Sequence, residues 1–168
     1  LELDPRNDLY LQNLSQAYLL RLQVIISQSQ LPAAELQTQF SNNLGVAIQT
    51  AQRAAEINPR DSQNWFNLGR VYENVILLVP GAAEMTFDAY NQAAKLEPNN
   101  PIFVAALGRS QILAGDLANR NNDRDGRNRA YTQAIASLEK AVALKYDYIP
   151  AHFLLAQVYE KQSRSKQA

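Results

Sequence analysis

The chain has no cysteine, and its 168 residues include one histidine, one methionine and one tryptophan. Without cysteine there are no disulfides and no thiolate metal sites, although both reducing and oxidising compartments tolerate that absence. Sixteen acidic and sixteen basic side chains cancel, so overall charge does not indicate nucleic acid or an anionic membrane as a partner. The most hydrophobic run, 75–80, is far shorter than the roughly 20 residues of a membrane span.

Groups that carry catalysis are equally scarce. The sequence has no glycine-rich phosphate loop and no helix with paired histidines. The single histidine, His152, stands at a position where the repeated helical pattern described below has an apolar or aromatic residue. We expect a packed ring with one satisfied nitrogen there, and no catalytic or metal-binding role. The sequence therefore predicts a chain that is not an enzyme and that binds no cofactor or metal.

What the chain does contain is a repeated pattern. Short stops of the form Leu/Ile-x-Pro-Asn/Arg lie at 3–7, 57–61 and 96–100, and a fourth without proline lies at 144–148. Each stop is followed by four residues spaced 3, 1 and 3 apart, which places all four on one face of a helix. These quartets are Leu11, Leu14, Ser15 and Tyr18; Trp65, Leu68, Gly69 and Tyr72; Val104, Leu107, Gly108 and Gln111; and His152, Leu155, Ala156 and Tyr159.

This pattern resembles the tetratricopeptide repeat, a helix-turn-helix unit of about 34 residues. The resemblance implies an all-α solenoid of helical hairpins wound as a right-handed superhelix, with small residues where neighbouring helices approach closely. We divide the chain into the end of a preceding repeat (1–7), three repeats (8–61, 62–100 and 101–148) and the start of a further one (149–168). Because the first residue is not methionine, we expect a piece of a longer protein. Unpaired faces at its two ends would then permit self-association.

The repeats are longer than the usual unit, and the excess lies between the two helices of each. In the first repeat, 19–27 extends the first helix and Pro32 begins a long second helix. In the second, 79–81 forms a short turn. In the third, the polar segment 115–129 is either a loop or a frayed helical extension. Helix starts are indicated by Asp61 or Ser62 and by Asn100 followed by proline.

A calcium-binding loop is imitated by Asn121, Asp123, Asp125 and Gly126, which place oxygen ligands at alternate positions before a glycine. The closing glutamate of such a loop is replaced by Thr132, and three arginines lie among the ligands. We therefore favour a solvated segment over a calcium site.

A closer resemblance rests on several segments together: the long first repeat, Trp-Phe-Asn-Leu-Gly-Arg-Val-Tyr at 65–72, Leu-Val-Pro-Gly-Ala at 78–82, and Leu-Lys-Tyr-Asp-Tyr-Ile-Pro-Ala-His at 144–152. It is similar to the tetratricopeptide region of O-antigen ligase/polymerase-like membrane proteins of candidate-phyla bacteria. The resemblance implies a parent in the bacterial envelope that handles lipid-linked glycan, with its active site outside this chain. It does not indicate on which side of the membrane this chain lies.

The fold predicts a concave groove lined by outward positions of the first helices. Protein or peptide binding there, by a non-catalytic scaffold, is the favoured function; contact with a saccharide is the alternative, which would require Tyr10, Trp65, Tyr72 and Tyr90 to be exposed. We expect neither nucleic-acid binding nor direct membrane insertion. The predicted lining consists of Leu9, Gln12, Gln16, Gln63, Phe66, Arg70, Asn74, Ile102, Ala105, Arg109, Phe153, Gln157 and Lys161.

Two arginines of this lining, Arg70 and Arg109, occupy equivalent places in successive repeats. They would form a guanidinium pair for a peptide carboxylate or a phosphate, or each would pair with a neighbouring acid such as Glu73. The carboxylate clamp of chaperone-binding family members is largely missing, because Gln12, Gln16, Arg70 and Ala105 stand at four of its places and only Arg109 is kept. A chaperone co-factor role is therefore disfavoured.

Overall fold

The structure, a computed structural model, describes residues 7–27, 30 and 32–167, with side chains up to residue 163. These ranges contain seven helices and no strand. The helices are α1 (Asp8–Ser27), α2 (Ala33–Ile57), α3 (Ser62–Glu73), α4 (Ala82–Leu96), α5 (Pro101–Arg120), α6 (Arg124–Leu144) and α7 (Ile149–Gln167). Most of the first predicted stop, at 3–7, lies outside the described residues.

The helices pack as successive hairpins. Helix α1 packs chiefly on α2, α3 on α4, and α5 on α6, while α7 packs on α6 and α5. Each hairpin also contacts the next one along the chain, because a single hairpin cannot bury its apolar faces alone. The predicted all-α solenoid of helical hairpins is thus confirmed. No helix in the described part of the chain is long and apolar enough to cross a membrane.

The three hairpins differ in length. Helices α1 and α2 have 20 and 25 residues, α5 and α6 have 20 and 21, but α3 and α4 have only 12 and 15. The predicted elongation of the first hairpin is confirmed. In the third, the helical alternative for 115–129 is the correct one, since α5 continues to Arg120 and α6 begins at Arg124.

Glycine explains how the third hairpin keeps its packing over this extra length. A Cβ atom on Gly108 would lie 2.6 Å from Leu138 Cγ, and one on Gly115, seven residues later, would lie 2.4 Å from Tyr131 Cε1. Two glycines a heptad apart therefore admit two large side chains of α6, themselves seven residues apart. The same contact occurs once in the shorter hairpin, where a Cβ on Gly69 would lie 2.5 Å from the ring of Tyr90.

Helix starts follow the capping residues. Asp61 accepts a hydrogen bond from the backbone N–H of Gln63, and Asn100 accepts one from that of Ile102. Asp123 caps α6 in the same way, accepting from the backbone N–H of Gly126. The segment that imitates a calcium loop is therefore a helix start. No group of three or more His, Asp or Glu side chains that could hold a metal ion occurs in the described ranges.

The core is built largely from small residues of the second helices. The small residues along these helices are buried: Ala47, Ala51, Ala54, Thr86, Ala93, Ala134 and Ala141. Ala156, the small residue at the third position of the fourth quartet, is exposed instead, because no described helix packs over that side of α7.

Candidate functional site

The candidate site is the face formed by the outward sides of α1, α3, α5 and α7, which we call the first-helix face. Side chains link each of these helices to the next, so the face is a continuous surface. The three joints between the helices use different chemistry, and each is described in turn.

The joint between α1 and α3 is a network of amides. Gln12 Nε2 donates to Asn64 Oδ1 at 2.6 Å, and Asn67 Nδ2 donates to Ser15 Oγ at 2.6 Å. Asn64 Nδ2 also donates to Asp8 Oδ2 at 3.1 Å. Hydrogen bonds from the Asn58 and Asn64 side chains hold the pKa of the Asp8 carboxyl below its usual 3.8.

The joint between α3 and α5 centres on Glu73. Its carboxylate accepts hydrogen bonds from Arg109 Nε at 2.9 Å, Arg109 Nη2 at 2.5 Å and the Tyr90 hydroxyl at 2.9 Å. The Glu73 side chain is only 10% exposed and that of Arg109 is 48% exposed. Hydrogen bonding to Glu73 raises the pKa of Arg109, while burial raises the pKa of Tyr90. Arg109 is thus a fixed, neutralised member of the surface.

The joint between α5 and α7 repeats this arrangement with other residues. Lys161 Nζ lies 2.8 Å and 2.9 Å from the two Asp116 carboxylate oxygens, and the Tyr131 hydroxyl donates to the same carboxylate at 2.7 Å. Burial raises the pKa of Tyr131, and its bond to Asp116 adds to the shift. Each of these two joints therefore contains a carboxylate, a tyrosine from the paired second helix and a cation from the next first helix.

The predicted lining residues separate into three groups by exposure. Gln63, Arg70, Asn74, Arg109 and Phe153 are exposed, as are Leu9 and Ile102. Gln16, Phe66, Gln157 and Lys161 are half-buried. Gln12 and Ala105 are buried, and their assignment to the lining is corrected: Gln12 is held inside the amide network, and Ala105 lies in the apolar core formed by α5, α6 and α7.

The two arginines have different surroundings. Arg109 is paired with Glu73, as the second of the two interpretations expected, and two of its nitrogens are occupied by that bond. The structure gives the Arg70 guanidinium no side-chain partner among the described residues, and its backbone carbonyl accepts a hydrogen bond from Asn74 Nδ2. Arg70 is therefore the arginine of this pair whose charge is uncompensated.

The aromatic side chains of α3 and α4 are buried or half-buried. Tyr72 and Tyr90 are buried, and Trp65 is half-buried with its Nε1 donating to the Pro59 carbonyl. The Phe66 ring packs on those of Tyr90 and Phe103, with centroids 5.6 Å and 5.1 Å away. On the first-helix face, the exposed aromatic ring is that of Phe153, which is 63% exposed.

His152 is not packed as expected. Its ring is exposed, although one nitrogen is satisfied, because Nε2 lies 2.7 Å from the Tyr146 carbonyl oxygen. The link that Asp116 forms between helices was not found from the sequence, and Glu73 was named only as one acid that could pair with either arginine. Their signal was an acid near the end of one first helix with a base in the next, but sequence spacing alone does not show which of several acids and bases meet.

Comparison with known proteins extends these observations. No family model matches the chain. It is 30% identical over 82 residues to a putative cytochrome c-type biogenesis protein, CcmH, of Haemophilus influenzae, an alignment covering 49% of this chain and 15% of that protein. An O-GlcNAc transferase mutant of Thermobaculum terrenum has a similar structure, with a TM-score of 0.52 and 19% identity, covering 86% of this chain and 22% of the other.

The matched part of the chain thus spans about one seventh of the Haemophilus protein and under a quarter of the solved structure. At that identity, the structural likeness concerns the fold alone. It agrees with the hairpin packing described above. Together these findings show that the chain has a tetratricopeptide-type helical-repeat fold.

Proposed function

We propose that this chain is a non-catalytic scaffold that binds a peptide or protein segment on its first-helix face. The observation that carries the proposal is the fixed geometry of that face. Glu73 and Asp116 lock α3, α5 and α7 together while neighbouring polar side chains stay exposed. A surface that is already ordered binds an extended segment at a lower entropic cost.

The exposed side chains suit a polypeptide. Gln63 and Asn74 have amides that both donate and accept hydrogen bonds, as a peptide backbone does. Arg70 supplies an uncompensated cation for an acidic side chain or a terminal carboxylate. Phe153 offers an exposed ring as an apolar contact. The Haemophilus influenzae protein that is similar to this chain is a putative biogenesis protein, which is in keeping with a chain that contacts another protein.

The saccharide alternative has less support. A sugar platform needs aromatic faces open to solvent, whereas two of the four candidate rings, Tyr72 and Tyr90, are buried. Trp65 is half-buried and its indole N–H is already bonded to Pro59. We therefore place protein binding first.

Selection from a displayed library of random peptides tests the proposal. Selected peptides are titrated against the native chain, against Arg70→Ala with Gln63→Ala, and against a matched control, Lys140→Ala with Gln133→Ala, on the exposed side of α6. We expect binding to fall on the order of tenfold in the first variant and to stay unchanged in the control. Peptides that bind both variants equally would place the binding surface elsewhere.

We further propose that the chain belongs to a larger bacterial envelope protein, as the resemblance to O-antigen ligase/polymerase-like proteins implies. The test is to wash membranes of cells that express the parent at high pH and to probe this domain with protease from each side. Retention in the washed membrane supports the proposal, and the accessible side identifies the compartment. Release into the soluble fraction contradicts it and leaves a free-standing adaptor.

A further inference from the structure

The three hairpins present their tips at one edge of the solenoid. We call the residues at 20–27, 75–81 and 119–129, where the first helices lead into the second, the hairpin-tip edge. Leu22 of the first hairpin shares a core cluster with Ile76 of the second. The second and third tips meet around a cavity of about 310 Å³, whose lining includes 76–81, Leu117 and Asn121. The tips are therefore neighbours in space.

Large apolar side chains are exposed along this edge. Leu20, Val24 and Ile26 are each more than half exposed on α1. The α3–α4 connection adds three consecutive residues, Leu77, Leu78 and Val79, of which Leu78 is 62% exposed. These residues lie outside the cores described above, and they are contributed by two different hairpins.

The third tip is rich in arginine. Residues 119–129 contain four arginines and two aspartates, although the chain as a whole is neutral. The structure gives Arg120, Arg124 and Arg129 no side-chain partner among the described residues, and Arg127 donates only to the neutral amides of Asn119 and Asn128. Asp123 is engaged in capping α6. Glu84 of the second hairpin also lines the cavity between the second and third tips.

We propose that the hairpin-tip edge binds the surface of an anionic lipid bilayer. The apolar side chains of the first two tips enter the boundary between headgroups and acyl chains, as those of interfacial helices do. The arginines of the third tip pair with headgroup phosphates, for which a planar guanidinium offers two parallel donors. The edge is formed by helix ends, so it is separate from the first-helix face and independent of peptide binding there.

A bilayer is favoured because both components lie on one edge. A soluble polyanion such as RNA would use the arginines and leave the leucines in water. An apolar protein partner would use the leucines and leave four arginines uncompensated. An anionic bilayer contacts both, and the attraction of arginine to its surface falls with added salt.

Sedimentation with vesicles tests the proposal on the whole 168-residue chain. The vesicles are phosphatidylcholine with or without phosphatidylglycerol. The charge variant is R120Q/R124Q/R129Q, and its matched control is K95Q/K140Q/K145Q, with the same charge change at exposed positions away from the tips. The apolar variant is L77Q/L78Q. Circular dichroism checks that each variant keeps its helices.

The native chain is expected to bind vesicles only when they contain phosphatidylglycerol. The arginine variant should bind on the order of a hundredfold more weakly, the lysine control should match the native chain, and the leucine variant should lose binding even at low salt. Equal binding by the arginine variant and its control would overturn the proposal. So would unchanged vesicle binding in the leucine variant together with tight binding of single-stranded RNA by the native chain, because a polyanion site then explains the data.

Discussion

Replacing Arg109 with methionine should destabilise the fold through Glu73. The substitution keeps most of the side-chain volume but removes two charged hydrogen bonds to a carboxylate that is only 10% exposed. Hydrogen bonds to charged groups contribute about 1.5–3 kcal/mol, and the half-exposed guanidinium places this one near the lower end. We expect a loss of about 2 kcal/mol in the free energy of unfolding, or about 4–8 °C in Tm for a chain of this size.

Arg70→Met is the matched control, since Arg70 is one helix away on the same face and lacks a side-chain partner; its effect should stay within about 0.5 kcal/mol. The double variant Glu73→Gln with Arg109→Met no longer buries the Glu73 charge without its partner. Its loss in the free energy of unfolding should therefore be smaller, by about 1 kcal/mol, than the sum of the losses of the two single variants. Urea unfolding followed by Trp65 fluorescence and circular dichroism measures these values. Equal losses for the two arginine variants, or simple additivity, would refute the reasoning.

Three further predictions concern packing, acid stability and calcium. Gly69→Ala should destabilise by about 1–3 kcal/mol because its Cβ would strike Tyr90, whereas Gly45→Ala, with nothing within 4 Å, should stabilise by about 0.5–1 kcal/mol in urea unfolding. Because the pKa of Asp8 is lower in the folded chain than its usual 3.8, its contribution to stability is present above that pH; stability should fall as the pH drops from about 5 through the lowered folded pKa, and less steeply in Asp8→Asn. Asp123→Ala should cost about 1 kcal/mol as a lost N-cap, and calcium titration should leave amide shifts at 121–126 unchanged below millimolar concentrations.

Much of the fold was predictable because its signals are local. Asn100 and the proline after it favour a helix start in any context. The hydrogen bond from the backbone N–H of Ile102 to the Asn100 side chain joins residues two apart and requires no contact with another helix. Spacing of 3 and 4 likewise identifies the buried side of each helix. The choice between loop and helix at 115–129 was harder to predict. It depended on a contact between Gly115 and Tyr131, which are 16 residues apart in the sequence and show no local pattern that reveals the contact.

The candidate site was less predictable because it depends on which residues meet across helices. Aligning the repeats placed Gln12 and Ala105 with exposed positions, but Asn64 beside the first and the α5–α7 core around the second bury them. Overall neutrality also gave no sign that the arginines at 120–129 form a basic patch at one edge, since a net charge contains no information on where the charges lie.

The joints between the first helices limit how freely the hairpins are exchanged. In α1, Leu19 occupies the place that Glu73 has in α3, each eight residues after the first member of its quartet. If the third hairpin were grafted directly behind the first, Arg109 would face leucine and lose its carboxylate, while Ser15 would lose Asn67. The hairpins are therefore not interchangeable in the way that consensus repeats are. The side chains at each joint match those of one particular neighbouring hairpin, so the sequence also determines the order of the hairpins.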